Sequence, residues 1–336
     1  MASKPIRHVI AMGASAGGVE SLGRVLERLP ADLDAAVLVV LHTAATRTES
    51  HLAEIFDRRA AIEVATAQDG ERLRPARVLV ARPDRHLCVQ DGRVWLDGGP
   101  RVNGHRPAVD VLFKSVAASH GAGAIGVVLT GNLDDGSLGL LAIRQAGGIG
   151  IVQEPSEAPY PGMPEAAIRV AEPDHVVSLA RMPQLLRSLV RPTNGSAPKR
   201  TPRARSEKPV AAGSTGFPID ELPGADDTPG APTGLTCPDC SGVIWMDESA
   251  GGTVFRCRIG HAYAPDAFFN QQTLFLEQAL WAAIRSLRER RATALSMARS
   301  VEDAGRTDLA QTFRKRADEA QQYADEIQER LITHFW

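Results

Sequence analysis

The feature that most constrains the fold is an alternation of apolar, β-type runs with helix-type segments over the first part of the chain. The run 35–41 is apolar at every position. Such runs are typical of strands inside a parallel sheet that helices cover on both faces. The alternation therefore predicts an α/β domain with a doubly wound, mostly parallel sheet over residues 1–192.

The alternation pauses between Arg77 and Leu96. Three short apolar runs, 78–80, 87–89 and 94–96, are separated there by turn residues that include Asp91-Gly92. This spacing predicts a small antiparallel excursion beside the main sheet.

The rest of the chain divides by composition. Residues 193–233 are rich in Pro, Gly, Ala, Ser and charge, which predicts a flexible linker, with basic residues that we interpret as solvated rather than as a nucleic-acid site. A Cys/His unit follows at 234–263. Two long amphipathic segments at 264–336, separated by Gly305, predict a helical hairpin. The predicted apolar stripes are Phe269, Leu276, Leu280, Ile284, Leu287 and Leu295 on the first segment and Leu309, Phe313, Ala320, Ile327 and Leu331 on the second.

Three of the four cysteines lie in the Cys/His unit. Cys237 and Cys240 form a C-x₂-C pair, and Cys257 and His261 form a C-x₃-H pair. This set predicts a tetrahedral structural zinc, and four protein ligands would leave the metal no open position for catalysis. The alternative is three reduced cysteines beside a chance histidine.

Composition excludes the unusual classes. The hydrophobic fraction of 43% and the net charge of −2 are those of an ordinary globular protein, and they indicate no particular class of partner. No apolar run approaches membrane-spanning length, and the N-terminus lacks a secretory h-region. We expect a cytoplasmic protein without membrane insertion.

A tight turn joins the first strand to the first helix. Gly13, Ser15 and Gly17 there form G-x-S-x-G, a spacing that suits a nucleophilic serine whose oxyanion is held by the amides near Ala16 and Gly17. The same turn, from Gly13 to Gly18, differs from the dinucleotide loop G-x-G-x-x-G only at the middle glycine, which is replaced here by Ser15.

Two other polar residues follow predicted strands. His42 ends the second strand, and Asp135 comes after the strand that ends near Leu129. Because ligands collect at the carboxyl ends of the strands in such sheets, Ser15, His42 and Asp135 are expected to converge as nucleophile, base and orienting acid. A dinucleotide site has Asp or Glu at the end of the second strand, so His42 favours hydrolysis.

Several sequence blocks, taken together and in order, resemble the catalytic domain of the CheB-type chemotaxis protein-glutamate methylesterases. The resemblance covers nearly all of residues 7–190. The blocks are residues 13–18, 41–42, 103–113, 129–136 and 160–164.

The resemblance implies a Ser-His-Asp triad on Ser15, His42 and Asp135, with Asp134 as the rival for the acid. It also implies hydrolysis of γ-glutamyl methyl esters on a methylated chemoreceptor or related signalling protein, with release of methanol, and glutamine deamidation as a related activity. No cofactor is expected for catalysis.

Other positions in the matching blocks are assigned more weakly. His105 is expected at a helix start, lining the substrate groove or acting as a polar cap, and Met163 is expected in the pocket wall or in plain packing. Asn132 stands beside the site, where many chemotaxis members have methionine. We interpret His51, His86, His120 and His175 as surface or structural residues.

Because only fourteen residues precede Ser15, we expect this protein to lack the N-terminal receiver domain of the chemotaxis members. Two rival functions remain open, a nucleotide- or phosphate-binding Rossmann-like domain without hydrolysis and a signalling scaffold with a vestigial esterase. The helical hairpin, with its basic cluster Arg285, Arg288, Arg290 and Arg291, is interpreted as a structural element with a solvated face or as a surface for a protein partner or self-association.

Overall fold

The computed structural model describes residues 6–42, 51–190, 230–248 and 252–335. Its strands are β1 (Val9–Ala14), β2 (Ala36–Leu41), β3 (Glu63–Thr66), β4 (Arg77–Val80), β5 (His86–Gln90), β6 (Arg93–Asp97), β7 (Ala124–Val128), β8 (Ile149–Gln153), β9 (His175–Val177), β10 (Ala231–Thr236), β11 (Val243–Asp247), β12 (Val254–Cys257) and β13 (Ala262–Tyr263). Its α-helices are α1 (Gly18–Leu26), α2 (Leu52–Asp57), α3 (Val109–His120), α4 (Ser137–Gln145), α5 (Gly162–Ala171), α6 (Met182–Val190), α7 (Pro265–Asp303) and α8 (Thr307–Phe335).

The main sheet has seven strands in the order β3-β4-β2-β1-β7-β8-β9. Each neighbouring pair is parallel. Helices α1, α2 and α6 bury one face of this sheet in a continuous apolar cluster. Helices α3, α4 and α5 bury the other. The predicted α/β sheet, covered on both faces, is confirmed.

The predicted antiparallel excursion wrongly included the strand at residues 77–80. β5 and β6 form an antiparallel hairpin, but β4 joins the parallel sheet between β3 and β2. Val78, Leu79 and Val80 are at most 2% exposed, as an interior parallel strand requires. A short apolar run carries no sign of its pairing direction, and its position between turns suggested a hairpin instead.

The sheet register brings the candidate site together. Ala14 at the end of β1 is directly opposite Leu41 at the end of β2. Ser15 and His42 are the next residues on adjacent parallel strands, and the His42 amide donates to the Ala14 carbonyl at 3.1 Å. Both side chains therefore start from the carboxyl edge of the sheet, where ligands bind in this architecture.

The predicted linker lies outside the described residues except at its end, where Ala231–Thr233 belong to β10. β10 to β13 form a four-stranded antiparallel sheet. The chain divides into two compact units, Met1–Phe268 and Phe269–Trp336, and this small sheet belongs to the first. In the structure the Cys/His unit comprises residues 230–248 and 252–264, which is slightly more than the predicted 234–263.

The second unit is an antiparallel helical hairpin. Two polar contacts join α7 and α8 in one register, from Arg288 Nη2 to Gln328 Oε1 at 2.6 Å and from Arg314 to Glu302. The predicted apolar stripes are only partly buried, because Phe269 is 72% and Leu276 50% exposed. On α8, the predicted positions Ala320 and Leu331 are buried, and a further buried series recurs every seven residues at Ala310, Ala317, Ala324 and Leu331. In the described parts of the chain, none of the helices combines the length and the apolar character that a membrane span needs.

Candidate active site

Ser15 lies in a tight turn between β1 and α1. Its amide donates to the Thr130 carbonyl at 3.0 Å, and its own carbonyl accepts from the Gly18 amide at 2.8 Å. Gly17 has a φ of +73°, in the left-handed region that glycine adopts most readily. Within the described chain, the Ala16 and Gly17 amides donate to no backbone carbonyl. These two N–H groups are available to a developing oxyanion beside Ser15.

Close packing behind Ser15 explains two glycines of the turn. A Cβ at Gly13 would collide with the Val109 side chain, and one at Gly18 would lie 2.7 Å from Ala14 Cβ. Both glycines are required by the packing of the sheet against its helices, so neither needs a bound diphosphate to explain it.

His42 and Asp135 form a buried pair. His42 Nε2 lies 2.9 Å from Asp135 Oδ2, and the two side chains are 6% and 3% exposed. With Nε2 used in this way, Nδ1 is the ring nitrogen that remains for Ser15. Among the described residues, no hydrogen bond joins the Ser15 hydroxyl to His42. Such contacts are often long in unliganded sites and tighten when substrate binds.

Asp135 is held in its charged form. Besides His42, its carboxylate accepts from the Val109 amide at 2.7 Å, the Asp110 amide at 3.1 Å and Asn103 Nδ2 at 2.8 Å. Burial opposes the charge, but the hydrogen bond and the charge of His42 outweigh it and hold the pKa of Asp135 below its usual range. An ionised carboxylate suits the role of orienting an imidazole.

Asp134 is placed differently from Asp135. Its Oδ2 accepts from the Asp266 amide at 3.1 Å, and its buried Oδ1 has no hydrogen-bond partner in the described chain. Burial raises its pKa to about 7, and the nearby Asp110 carboxyl adds to the rise. Asp135, rather than Asp134, is therefore the carboxylate that contacts His42.

Sequence reasoning missed two buried polar residues of the site. Asn103 and Asp110 are each 1% exposed. Asp110 accepts from Asn103 Nδ2 at 3.1 Å and from the Gly136 and Gly139 amides, so it fixes the segment that carries Asp135. Burial raises the pKa of Asp110 to about 6. Both residues stand in the block 103–113 that carries the family resemblance, and this was the available signal.

His105 does not begin a helix, as the sequence suggested. It lies in the loop before α3, after which a cis Arg106–Pro107 bond leads to the helix start at Val109. Its ring stacks on His42 with centroids 3.7 Å apart and planes 13° apart. Burial, and secondarily the charge on His42, lowers the pKa of His105 to about 4, so it is neutral at pH 7. His105 therefore supports the His42 ring from one side.

The remaining predicted pocket residues differ in their exposure. Asn132 is exposed beside the site, whereas Met163 is 1% exposed. A Cβ at Gly131 would collide with Met163 Sδ and lie 2.8 Å from Ser15 Cβ, so Met163 packs behind the Ser15 turn. His86 is fully buried, with its Nε2 2.9 Å from the Pro100 carbonyl and its Nδ1 accepting from the Ala108 amide, which is a structural role.

The Cys/His unit brings its four predicted ligands together. The ligand atoms of Cys237, Cys240, Cys257 and His261 all lie within 4.8 Å of one another. Cys257 Sγ is 3.6 Å from Cys240 Sγ and 3.4 Å from His261 Nδ1. A tetrahedral zinc with bonds of about 2.3 Å to sulfur and 2.0 Å to nitrogen separates its ligands by about 3.4–3.8 Å. The donor set and its spacing thus fit zinc.

Known proteins match the α/β part of this chain. A family model described as CheB methylesterase matches residues 10–186. The solved structure titled "Crystal structure of Thermotoga maritima CheB methylesterase catalytic domain" aligns with a TM-score of 0.52 at 31% identity, covering 54% of this chain and 98% of that one.

Curated relatives carry a matching name. A protein of Xanthomonas oryzae pv. oryzae (strain MAFF 311018), named protein-glutamate methylesterase/protein-glutamine glutaminase 2, is 43% identical over 185 residues, which are 54% of this chain and 51% of the relative. A Photorhabdus laumondii protein, named protein-glutamate methylesterase/protein-glutamine glutaminase, is 39% identical over 193 residues, 56% of this chain and 54% of its own length. The chain thus spans about half the length of the curated relatives that it matches.

Proposed function

This chain belongs to the CheB methylesterase family, and from that premise we propose that it is a serine hydrolase that demethylates glutamyl methyl esters on a chemoreceptor or related signalling protein. The relatives are also named protein-glutamine glutaminases, and we propose glutamine deamidation as a second reaction of the same site. The observation that carries the proposal is the buried His42–Asp135 pair at the sheet edge from which Ser15 also starts.

The proposed mechanism uses only side chains and amides of this chain. His42 Nδ1 takes the Ser15 proton as Ser15 Oγ attacks the ester carbonyl, and Asp135 at Nε2 stabilises the imidazolium. The Ala16 and Gly17 amides stabilise the tetrahedral oxyanion. His42 then returns the proton to the leaving methoxide, and water hydrolyses the acyl-enzyme by the same route in reverse.

Two features argue against the rival functions. Gly13 and Gly18 are explained by close packing, which weakens the nucleotide-binding alternative. A vestigial esterase would have no need to keep a buried, ionised Asp135 with four hydrogen bonds around it.

The test compares the full chain with Ser15→Ala on peptides that carry glutamyl methyl ester. We expect kcat for methanol release to fall by a factor on the order of 10⁴ to 10⁶, because removal of the nucleophile abolishes the covalent route. Ser188→Ala, which truncates an exposed serine on α6, is the matched control and should retain full activity. Equal turnover in the two variants would exclude Ser15 as the nucleophile.

We further propose that Cys237, Cys240, Cys257 and His261 hold a structural zinc. When bound, the metal would supply folding free energy to the Cys/His unit and no chemistry to the ester. We expect the purified chain to contain about one zinc per molecule by elemental analysis, and a Cys257→Ser variant to lose it. Cys88→Ser, outside the cluster, is the control; an unchanged zinc content in Cys257→Ser would contradict the assignment.

A further inference from the structure

The loop between β6 and α3 contacts two residues of the proposed triad. Asn103 Nδ2 donates to Asp135 Oδ1 at 2.8 Å. His105, two residues further on, stacks on the His42 ring at 3.7 Å. This loop, residues 98–108, therefore forms one wall around the His42–Asp135 pair.

The opposite side of the same loop contacts the Cys/His unit. The Asn103 amide donates to the Ala262 carbonyl at 2.8 Å, and Asn103 Oδ1 accepts from the Ala264 amide at 2.8 Å. Val102 forms a parallel bridge with Ala262. A Cβ at Gly260 would lie 3.0 Å from Pro100 Cγ, so the Pro100 ring packs closely against the Gly260 backbone.

Apolar packing supports these hydrogen bonds. One buried cluster combines side chains from the esterase domain with side chains from the Cys/His unit and the residue that precedes α7. Its buried members are Val102, Ala108, Val111, Leu138, Val254, Ala262 and Ala264. The contact is thus a shared core rather than a surface touch.

The Asn103 side chain forms hydrogen bonds with both the esterase domain and the Cys/His unit. Its two Nδ2 hydrogens go to Asp110 and Asp135, and its Oδ1 goes to the Cys/His unit. Its φ of +54° lies in the left-handed region, so the surrounding contacts hold the residue in a conformation that most side chains avoid. Loss of the unit would remove the partner of Oδ1 and open the Asn103 side chain to water next to Asp135.

We propose that the Cys/His unit is a positioning element for the esterase site and that Asn103 transmits its effect to Asp135. Ala262 directly follows His261, one of the predicted zinc ligands, so the folding of the unit fixes the carbonyl that holds Asn103. Release of the unit frees Asn103, weakens its hydrogen bond to Asp135 and displaces the His105 ring from His42.

The test uses the full chain with an Ala262→Glu substitution, which puts a charge into a site that is 5% exposed and so forces the unit off the loop. Val243→Glu is the matched control, because Val243 lies in the same small sheet and is 49% exposed. A third variant, Asn103→Gly, removes the carboxamide while tolerating the positive φ.

Kinetics on the glutamyl methyl ester peptide rest on the proposed function. We expect Ala262→Glu and Asn103→Gly each to lower kcat roughly 10- to 100-fold, the range for one lost hydrogen bond to a charged group, with KM changed by less than about 2-fold. The double variant should be no slower than the slower single variant, because both act through one contact. Val243→Glu should match the wild type.

Amide hydrogen exchange gives a readout that needs no activity. We expect Ala262→Glu to lose protection at Asn103, and also at the Val109 and Asp110 amides that donate to Asp135, while β1 and β7 remain protected. If the wild-type chain released methanol no faster than Ser15→Ala, only the esterase function would be refuted. The exchange pattern would then decide whether the Cys/His unit positions Asn103. Any of three results would overturn the proposal. These are a wild-type kcat in Ala262→Glu, additive losses of kcat in the double variant, and retained protection of the Asn103, Val109 and Asp110 amides in Ala262→Glu.

Discussion

At the scale of single residues, the site contains two neighbouring carboxyl groups with opposite ionisation behaviour. Asp135 receives four hydrogen bonds and stays charged. Asp134 accepts one amide hydrogen bond, and burial raises its pKa to about 7. The sequence Asp134-Asp135 cannot show this difference, because it arises from partners that are distant along the chain.

This difference makes stability depend on pH. The folded-state pKa of Asp134 is raised above its ordinary value. The contribution of the protonated carboxyl to the free energy of unfolding is therefore complete below about pH 4 and is lost as pH rises through about 7. Asp134→Asn removes the charging step. We expect its Tm at pH 8 to exceed that of the wild type by about 2–6 °C, and the decline in Tm between pH 5 and pH 8 to be shallower.

The matched control is Asp84→Asn. Asp84 is exposed and paired with Arg106, whose hydrogen bond lowers the pKa of Asp84, so this carboxylate is charged throughout pH 5–8. Its removal should leave the slope of Tm against pH unchanged. An Asp134→Asn slope equal to that of the wild type would show that Asp134 does not titrate in this range.

At the scale of helices and strands, the sequence predicted the elements better than their partners. The alternation of apolar runs and helix patterns was sufficient to predict the parallel sheet and the strand ends that carry Ser15 and His42. It could not assign β4 to that sheet, since pairing is decided by contacts far along the chain. Nor could it place His105, because the loop with the cis Arg106–Pro107 bond lies where the sequence predicted the start of a helix.

The helical hairpin shows a second limit of pattern reading. The predicted stripe on α8 included Ala320 and Leu331, which are buried, but it omitted a seam of three alanines at positions 310, 317 and 324 that are each at 0% exposure. Alanine carries little hydrophobic signal in a sequence, although its small size permits close approach of two helices. The seven-residue spacing of these alanines was the better indicator.

We expect Ala317→Leu to destabilise the hairpin by about 1–3 kcal/mol, because the added methylenes have no space in the seam. Ala292→Leu makes the same change at an exposed position of α7 and should stay within about 0.5 kcal/mol of the wild type. Thermal unfolding of the full chain, followed by circular dichroism at the helical band, compares the two. Equal effects would show that Ala317 is not in a tight seam.

At the scale of the whole molecule, the four cysteines distinguish loss of metal from the Cys/His unit from unfolding of the esterase domain. Cys237, Cys240 and Cys257 belong to the predicted zinc site, whereas Cys88 lies on β5, where burial raises the pKa of its thiol to about 12. A thiol that stays protonated reacts slowly with disulfide reagents.

We therefore expect a chelator to make three thiols reactive at once, while Cys88 reacts only when denaturant unfolds the esterase domain. Titration with a coloured disulfide reagent counts the thiols in each phase, and the Cys88→Ser chain should lack only the slow one. A single phase of four thiols after chelation would mean that the Cys/His unit and the esterase domain unfold together.

The junction between the Cys/His unit and the esterase has a consequence for how such proteins are compared. On the side of the unit, the polar partners of Asn103 are the carbonyl of Ala262 and the amide of Ala264. Every amino acid offers the first group and every one except proline the second. Paired substitutions across homologues would therefore leave no trace of this link, and only coordinates can show which family members possess it.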